Sequence, residues 1–454
     1  MRAGIESLAI GVSSAVALLR IVNVRAEQRP GALFFFGLVS IMPLAAPHYA
    51  FAAPFETPAT SPIRSLMPYA MKPGNISVAG GYPAQELFDV EGLTDASNQV
   101  VARLGSYLQY SNIDGQASLK AALAQLSAER GLVCDPDTEL MVTGGSQQAL
   151  ALVSRVMLQP GDHAIIETPA FPNSVQALRY TGATVHTVAS GPDGIDVDAL
   201  DEMATRIKPK MVCVVASFSN PCGATISRQR RLRLLELAVK HQFLIVEDDP
   251  YGELRFAGET VPPIAALAEG EARQWAVYLS TMSKTMAPAL RIGWLVAPAE
   301  IRRRCVSAKA GDDMASSAWI QEVVAQYLVD GRYAQHVPRI RAAYGKRCDA
   351  MAQSLEQSMA GRIVFNKPEG GMFFWVRLHG DIDASRLLPY AIEHGVVYVP
   401  GKVFYADPAQ ADSFAMRMSF ATMNEDQIAE GMARLGRALD ACESNAPVEI
   451  SLAV

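Results

Sequence analysis

The chain has 454 residues, half of them hydrophobic and 19% charged. That is more than one small core needs, and it fits a globular protein of two lobes or more rather than a disordered or fibrous one. A formal net charge of −6 with no Lys/Arg tract argues against a general nucleic-acid or acidic-membrane binder. Six cysteines, at 134, 213, 222, 305, 348 and 442, are spread singly with no C-x-x-C pair, so reduced thiols in a cytoplasmic protein are expected, and no metal site.

In chain order, residues 1–54 stand apart as an atypical apolar extension. Residues 31–53 follow Arg25 and Arg29 and end in Ala-Phe-Ala, as a signal peptide would, although about thirty residues precede them. A poor transmembrane helix interrupted by Pro43, Pro47 and His48 is a second reading. A mis-called start is the favoured one, with export left open and no stable membrane association expected. Residues 55–105 read as a segment partly joining a small lobe, 106–330 as a large cofactor-binding domain and 331–445 as the small C-terminal domain.

Within the large domain, Met211–Ala216 and Leu244–Val246 read as buried parallel strands. Between them Arg228–His241, with Ser227 as N-cap, reads as a helix, which makes a βαβ unit. Further strands are expected at Val277–Ser280 and Gly293–Val296, and helical periodicity over 313–357. Short strands at Met372–Leu378, Val396–Val399 and Phe414–Phe420 give the small lobe an α+β character. The fold class is therefore α/β, a large domain with a mostly parallel sheet between helices plus a smaller α+β domain.

The polar residues at strand ends carry the chemistry. Ser280-Thr281-Met282-Ser283-Lys284 follows a strand, with Arg291 seven residues on. Such a lysine stands at the sheet edge where α/β proteins bind ligands, although an isolated Ser-Lys pair more often marks a polar surface loop. Glu247-Asp248-Asp249-Pro250-Tyr251 ends an apolar strand; acids there need a cationic partner, or else form a turn. Asn220-Pro221-Cys222-Gly223 follows another strand and is also a common turn signal. Thr143-Gly144-Gly145-Ser146-Gln147-Gln148 opens a helical stretch suited to a phosphate, though most such turns are structural. Pyridoxal 5′-phosphate (PLP) needs a lysine for its aldehyde, an acid for its ring nitrogen, a phosphate cradle and a face to stack on. Candidates for all of these occur in this order.

Together with Val78–Pro83, Leu108-Gln109-Tyr110, Glu167–Phe171, Pro368–Phe373 and Arg417–Phe420, these segments resemble the fold-type I PLP enzymes over about 61–440. They are most similar to class I/II aminotransferases of the aromatic and 2-aminoadipate kind, related to the catalytic-like domains of MocR regulators. The resemblance implies that Lys284 forms the Schiff base and moves the proton, Asp248 holds the ring nitrogen, and Tyr251 with Asn220 the ring hydroxyl. It gives Ser146, Gln147, Thr281, Ser283 and Arg291 to the phosphate and Phe171 to the ring face. Tyr110 is to reach the neighbouring subunit's phosphate, which implies a homodimer with shared sites. Arg417 is to clamp the substrate carboxylate, with Gly80 and Gly81 closing over the substrate. Thr281-Met282 and Cys222 depart mildly from the family's pattern, and the first 54 or so residues match nothing in it.

The expected activity is transfer of an amino group from an aromatic, branched-chain or 2-aminoadipate-like amino acid to a 2-oxo acid such as 2-oxoglutarate. Another PLP reaction, as in a β-lyase or racemase, is the alternative. A MocR-like sensor requires a basic DNA-binding module, which residues 1–60 are too few and too apolar to supply.

Overall fold

The computed structural model describes residues 49–52, 55–56 and 61–445. The chain divides into two units, Met1–Pro58 and Ala59–Val454, and the second holds the elements described below. The apolar stretch at 31–53 lies almost wholly outside the described residues. Among the described residues no helix is long and apolar enough to cross a membrane.

Strand β1 (Ile76–Ser77) precedes the large sheet. That sheet consists of β2 (Leu140–Thr143), β3 (His163–Thr168), β4 (Thr184–Gly191), β5 (Gly194–Ile195), β6 (Met211–Val214), β7 (Leu244–Asp249), β8 (Ala276–Thr281) and β9 (Gly293–Val296). Their order is β2-β9-β8-β7-β6-β3-β4-β5. The central pairs β8-β7-β6-β3-β4 are parallel, whereas β9 runs antiparallel to both its neighbours. Residues on a strand alternate between faces, and here both faces are covered. On β7, Ile245 packs with Leu234, Leu235 and Leu237 of the helix Arg228–His241, while Val246 packs with Leu150 and Val153 of the helix Ser146–Met157. Ser227 caps the first of these helices by accepting from the Arg230 amide.

The acids expected at the end of that strand lie inside it. β7 continues through Glu247, Asp248 and Asp249, all of them buried. Glu247 shares the face of Ile245, beside the wholly buried Arg231. Arg231 Nη1 lies 3.6 Å from Glu247 Oε1, and its other donors reach the carbonyls of Ile226, Pro262 and Ala216 and the Ser217 hydroxyl.

The small lobe comprises β10 (Ile363–Phe365), β11 (Phe373–Leu378), β12 (Val396–Val397), β13 (Val399–Pro400) and β14 (Ala415–Ser419). Four of these form a sheet of order β10-β11-β14-β13, backed by the helices Arg332–Met359 and Glu425–Glu443. The segment Val396–Val399 does not form one strand. It splits at Tyr398, whose hydroxyl bonds the Ala384 carbonyl, and β12 pairs instead with β1. The early residues Ile76 and Ser77 are thereby tied to the late half of the chain.

Replacing Arg231 by Met leaves the buried Glu247 carboxylate without its counter-charge and removes a donor from the Ile226, Pro262 and Ala216 carbonyls, at a cost of about 3–5 kcal/mol. Urea unfolding of Arg231→Met should show its midpoint well below that of the unchanged protein. An unaltered midpoint would show that the pair contributes nothing.

Candidate active site

The cleft is built where the ends of β7 and β8 meet the small-lobe sheet. Lys284 follows β8, and its Nζ donates to the Gly81 carbonyl at 2.9 Å. Burial, then the nearby Arg417, push the Lys284 ammonium down to about 8, with Asp248 opposing and Arg291 adding to the fall. Asp248 points to the face opposite Glu247 and Asp249. Burial pushes its carboxyl up to about 7; the Ser146 hydroxyl and Lys284 pull the other way, and Asp249 reinforces the rise. Its Oδ1 is buried without a hydrogen-bond partner. That is a costly state for an acid unless a cationic or protonated group meets it.

Arg417, on β14 opposite Trp375 of β11, is 1% exposed. Its Nη1 donates to Asn220 Oδ1 at 2.8 Å and its Nη2 to the Ala79 carbonyl. The guanidinium lies between the rings of Phe373 and Phe404, 4.5 and 4.9 Å from their centroids. Burial pulls it down to about 10, still charged at neutral pH. Asn220 also faces the Tyr251 hydroxyl; burial raises that phenol strongly, and the Tyr251 ring meets Phe373 edge-on at 5.7 Å. Arg417, Asn220 and Tyr251 thus form one chain of polar contacts leading towards Asp248.

At the other end, Ser146 begins its helix directly after Gly145, whose φ of +106° favours glycine. A Cβ on Gly293 would lie 2.6 Å from Gly145 Cα and 2.8 Å from the Ser146 nitrogen, so β9 packs backbone against this turn. Arg291, itself at φ +52°, folds back so that Nη2 bonds the Gly144 carbonyl. The Thr281 hydroxyl bonds the Ile292 carbonyl and the Ser283 hydroxyl, each at 2.9 Å, and accepts from the Ser283 amide. Phe171 caps the helix Pro172–Arg179, and the adjoining Ala170 amide donates to the Phe404 carbonyl at 2.8 Å. A Cβ on Gly81 would approach the Phe373 ring to 2.8 Å, and one on Gly80 the Tyr82 ring to 2.7 Å.

Three of the expected residues, Gln147, Tyr110 and Arg291, are exposed. Gln147 donates to the Asn173 carbonyl at 3.3 Å, and Tyr110 is 77% exposed. The rings of Phe373 and Phe404 about Arg417, and the arginines behind β7, are not singled out by the sequence. Strand parity in Glu247-Asp248-Asp249 is the signal that separates the middle acid from its neighbours. Among the described residues no group of three or more His, Cys, Asp or Glu is placed to hold a metal ion.

Known proteins resemble this chain in sequence and fold. The family model for aminotransferase class I and II matches residues 79–435. The aromatic-amino-acid aminotransferase 1 of Thermococcus litoralis is 38% identical over 385 residues, 84% of this chain and 91% of that protein. The 2-aminoadipate transaminase of Thermus thermophilus is 36% identical over 380 residues, 84% of this chain and 94% of that one. The crystal structure of Pyrococcus horikoshii kynurenine aminotransferase in complex with PMP superposes with a TM-score of 0.81 at 36% identity, covering 88% of this chain and 98% of that one.

Asp248 gives a pH signature in the cofactor-free protein. Its folded value of about 7 lies above the ordinary 3.8, so the fold binds the extra proton between these values. The stability it contributes is fully present below the ordinary value and is lost as pH rises through the folded one. Cofactor-free Asp248→Asn should therefore match the unchanged protein near about pH 4 and exceed it in chemical-denaturation stability near about pH 8. Parallel stability curves for the two proteins would contradict the shift.

Proposed function

The chain belongs to the class I and II aminotransferases and is a PLP-dependent transaminase, and on that premise we propose how its residues divide the work. Its residues fit the cofactor on two observations: the buried, unpartnered Asp248 oxygen suits a protonated ring nitrogen, and Lys284 stands in the same cleft with a lowered proton affinity. When bound, PLP supplies an electron-withdrawing ring that acidifies the substrate Cα–H. Asp248 holds the ring nitrogen, and Tyr251 with Asn220 the ring hydroxyl. Phe171 offers its face to the ring; Ser146, Gln147, Thr281, Ser283 and Arg291 take the phosphate.

Lys284 is the attachment point and then the base that takes the proton from the substrate Cα. A pKa near 8 leaves a useful fraction of free amine at neutral pH. Arg417 binds the substrate α-carboxylate through its planar fork. Asn220 already occupies one of its Nη groups, which fixes the plane that the fork presents. Retaining the carboxylate favours loss of the α-proton over loss of carbon dioxide. Gly80 and Gly81 bring the backbone close over the bound amino acid, and the Gly81 carbonyl holds the Lys284 amine.

The donor is an aromatic, branched-chain or 2-aminoadipate-like amino acid, and the acceptor a 2-oxo acid such as 2-oxoglutarate. The substrates in the relatives' names support the aromatic and aminoadipate readings. Tyr110, exposed on its own chain, serves the phosphate of a second copy in a cytoplasmic homodimer with shared sites. Nucleic acid has no part in this reading.

The observation that carries this reading is Asp248, the one acid of its strand turned towards the lysine. Purified full-length protein should transaminate donors of these classes with 2-oxoglutarate. Lys284→Ala should lose at least about a thousandfold in kcat, the scale of a positioned proton-transfer group. Arg417→Lys should act mainly on KM. Undiminished turnover by Lys284→Ala would sink the assignment.

A further inference from the structure

A buried polar cluster lies behind β7 and has no part in the roles above. Arg130 ends the helix Ala117–Glu129, and its side chain is only 12% exposed. Its Nη1 donates to Asp249 Oδ2 and to the Tyr278 hydroxyl, the latter at 2.7 Å, and its Nε lies 3.4 Å from Glu253 Oε1. The Tyr278 hydroxyl donates in turn to Asp249 at 3.1 Å. The other Asp249 oxygen accepts from the Gly252 amide at 2.8 Å, and the Asp249 carbonyl accepts from Ser280 Oγ at 2.8 Å. Arg341, on the long helix Arg332–Met359, holds the second Glu253 oxygen at 2.8 Å. A Cβ on Gly252 would lie 2.5 and 2.6 Å from the Asp249 oxygens, so the turn closes tightly on the ion pair.

These contacts converge on one short stretch. Arg130 grips Asp249 and Glu253, which flank Pro250, Tyr251 and Gly252, while Asp248 immediately precedes the first of them. We propose that Arg130 is a positioning residue for the cofactor site: through Asp249 and Glu253 it holds the turn that presents the Asp248 carboxylate and the Tyr251 hydroxyl to the cofactor ring. This rests on the assignment of Asp248 and Tyr251 made above.

The restraint that Arg130 imposes is directional. Apolar packing is non-directional, whereas a guanidinium that bonds a carboxylate and a phenol through Nη1 and faces a second carboxylate through Nε fixes both distance and angle. Supporting bonds of this kind orient the groups that touch a ligand; at metal sites their loss typically costs about ten- to hundredfold in affinity or activity, and the same scale is expected for the cofactor here. Arg130 also neutralises Asp249, a like charge adjacent to Asp248, which would otherwise raise the proton affinity of groups around it. The charged groups acting on Asp248 and Lys284 are one another, Asp249, Arg417 and Arg291.

The test uses full-length protein loaded with PLP and reads cofactor dissociation and the pH midpoint of the bound-cofactor absorbance. Arg130→Gln should weaken cofactor retention by about ten- to hundredfold and raise the spectral midpoint, and Arg130→Lys should restore part of both. Tyr278→Phe removes one arm of the cluster without stranding a charge. It should move both readouts in the same direction by less, and it decides the matter if Arg130→Gln does not fold. Folded Arg130→Gln or Tyr278→Phe with the original dissociation constant and midpoint, and only lower thermal stability, would overturn the proposal. Asp248→Asn run alongside must weaken cofactor binding. If it does not, the Asp248 assignment falls and this inference with it, whereas a sensitive Asp248 beside insensitive Arg130 and Tyr278 overturns this inference alone.

Discussion

Three carboxylates in a row on a strand buried on both faces must each find a compensating charge, because an unpaired buried anion is far too costly to keep. The pleat divides them. Glu247 and Asp249 turn to one face, where Arg231 and Arg130 meet them. Asp248 turns to the other, where no arginine is bonded to it and its Oδ1 has no partner. Two ion pairs therefore anchor the strand, and the remaining acid is left for whatever cation the cleft receives. That placement fits the contact to a protonated ring nitrogen proposed for Asp248. The rest of the large lobe, from the helix carrying Ser146 to the loop carrying Lys284, is arranged about it.

The small lobe supplies the matching positive charge. Arg417 is buried between two aromatic rings and held by Asn220 and the Ala79 carbonyl, contacts that span residues 79, 220 and 417. Its charge lies close enough to depress Lys284, as does that of Arg291. Two nearby guanidinium groups lower the proton affinity of the lysine, which frees part of the amine for the attachment and proton transfer proposed for it. The anion-binding role proposed for Arg417 and the base role proposed for Lys284 share this field.

Much of this is legible in the sequence, and its limits are physical. The helix Arg228–His241 follows from its cap and leucine spacing, and β9 from its short apolar run, because local pattern governs both. Lys284 and Asn220 stand out as polar residues following apolar strands and Asp248 as one of three acids closing another, whereas Arg417, in the middle of β14, is indicated only by the family resemblance. Arg231 does not: in Arg228-Gln229-Arg230-Arg231 only packing against β7 decides which arginine is buried. Arg130 reads as an ordinary basic residue at a helix end. The split of Val396–Val399 is equally hidden, since each valine suits a strand and only the tertiary partners of Ile76 and Arg417 assign them to different sheets.

Every role proposed for the cleft turns on Lys284 carrying the cofactor. Borohydride reduction of the PLP-loaded protein, followed by digestion and mass spectrometry, locates the attachment directly. The pyridoxyl group should appear on the peptide containing Lys284 and be lost from that peptide when the amino donor is added before reduction. Label on another lysine, or none on any, would contradict it.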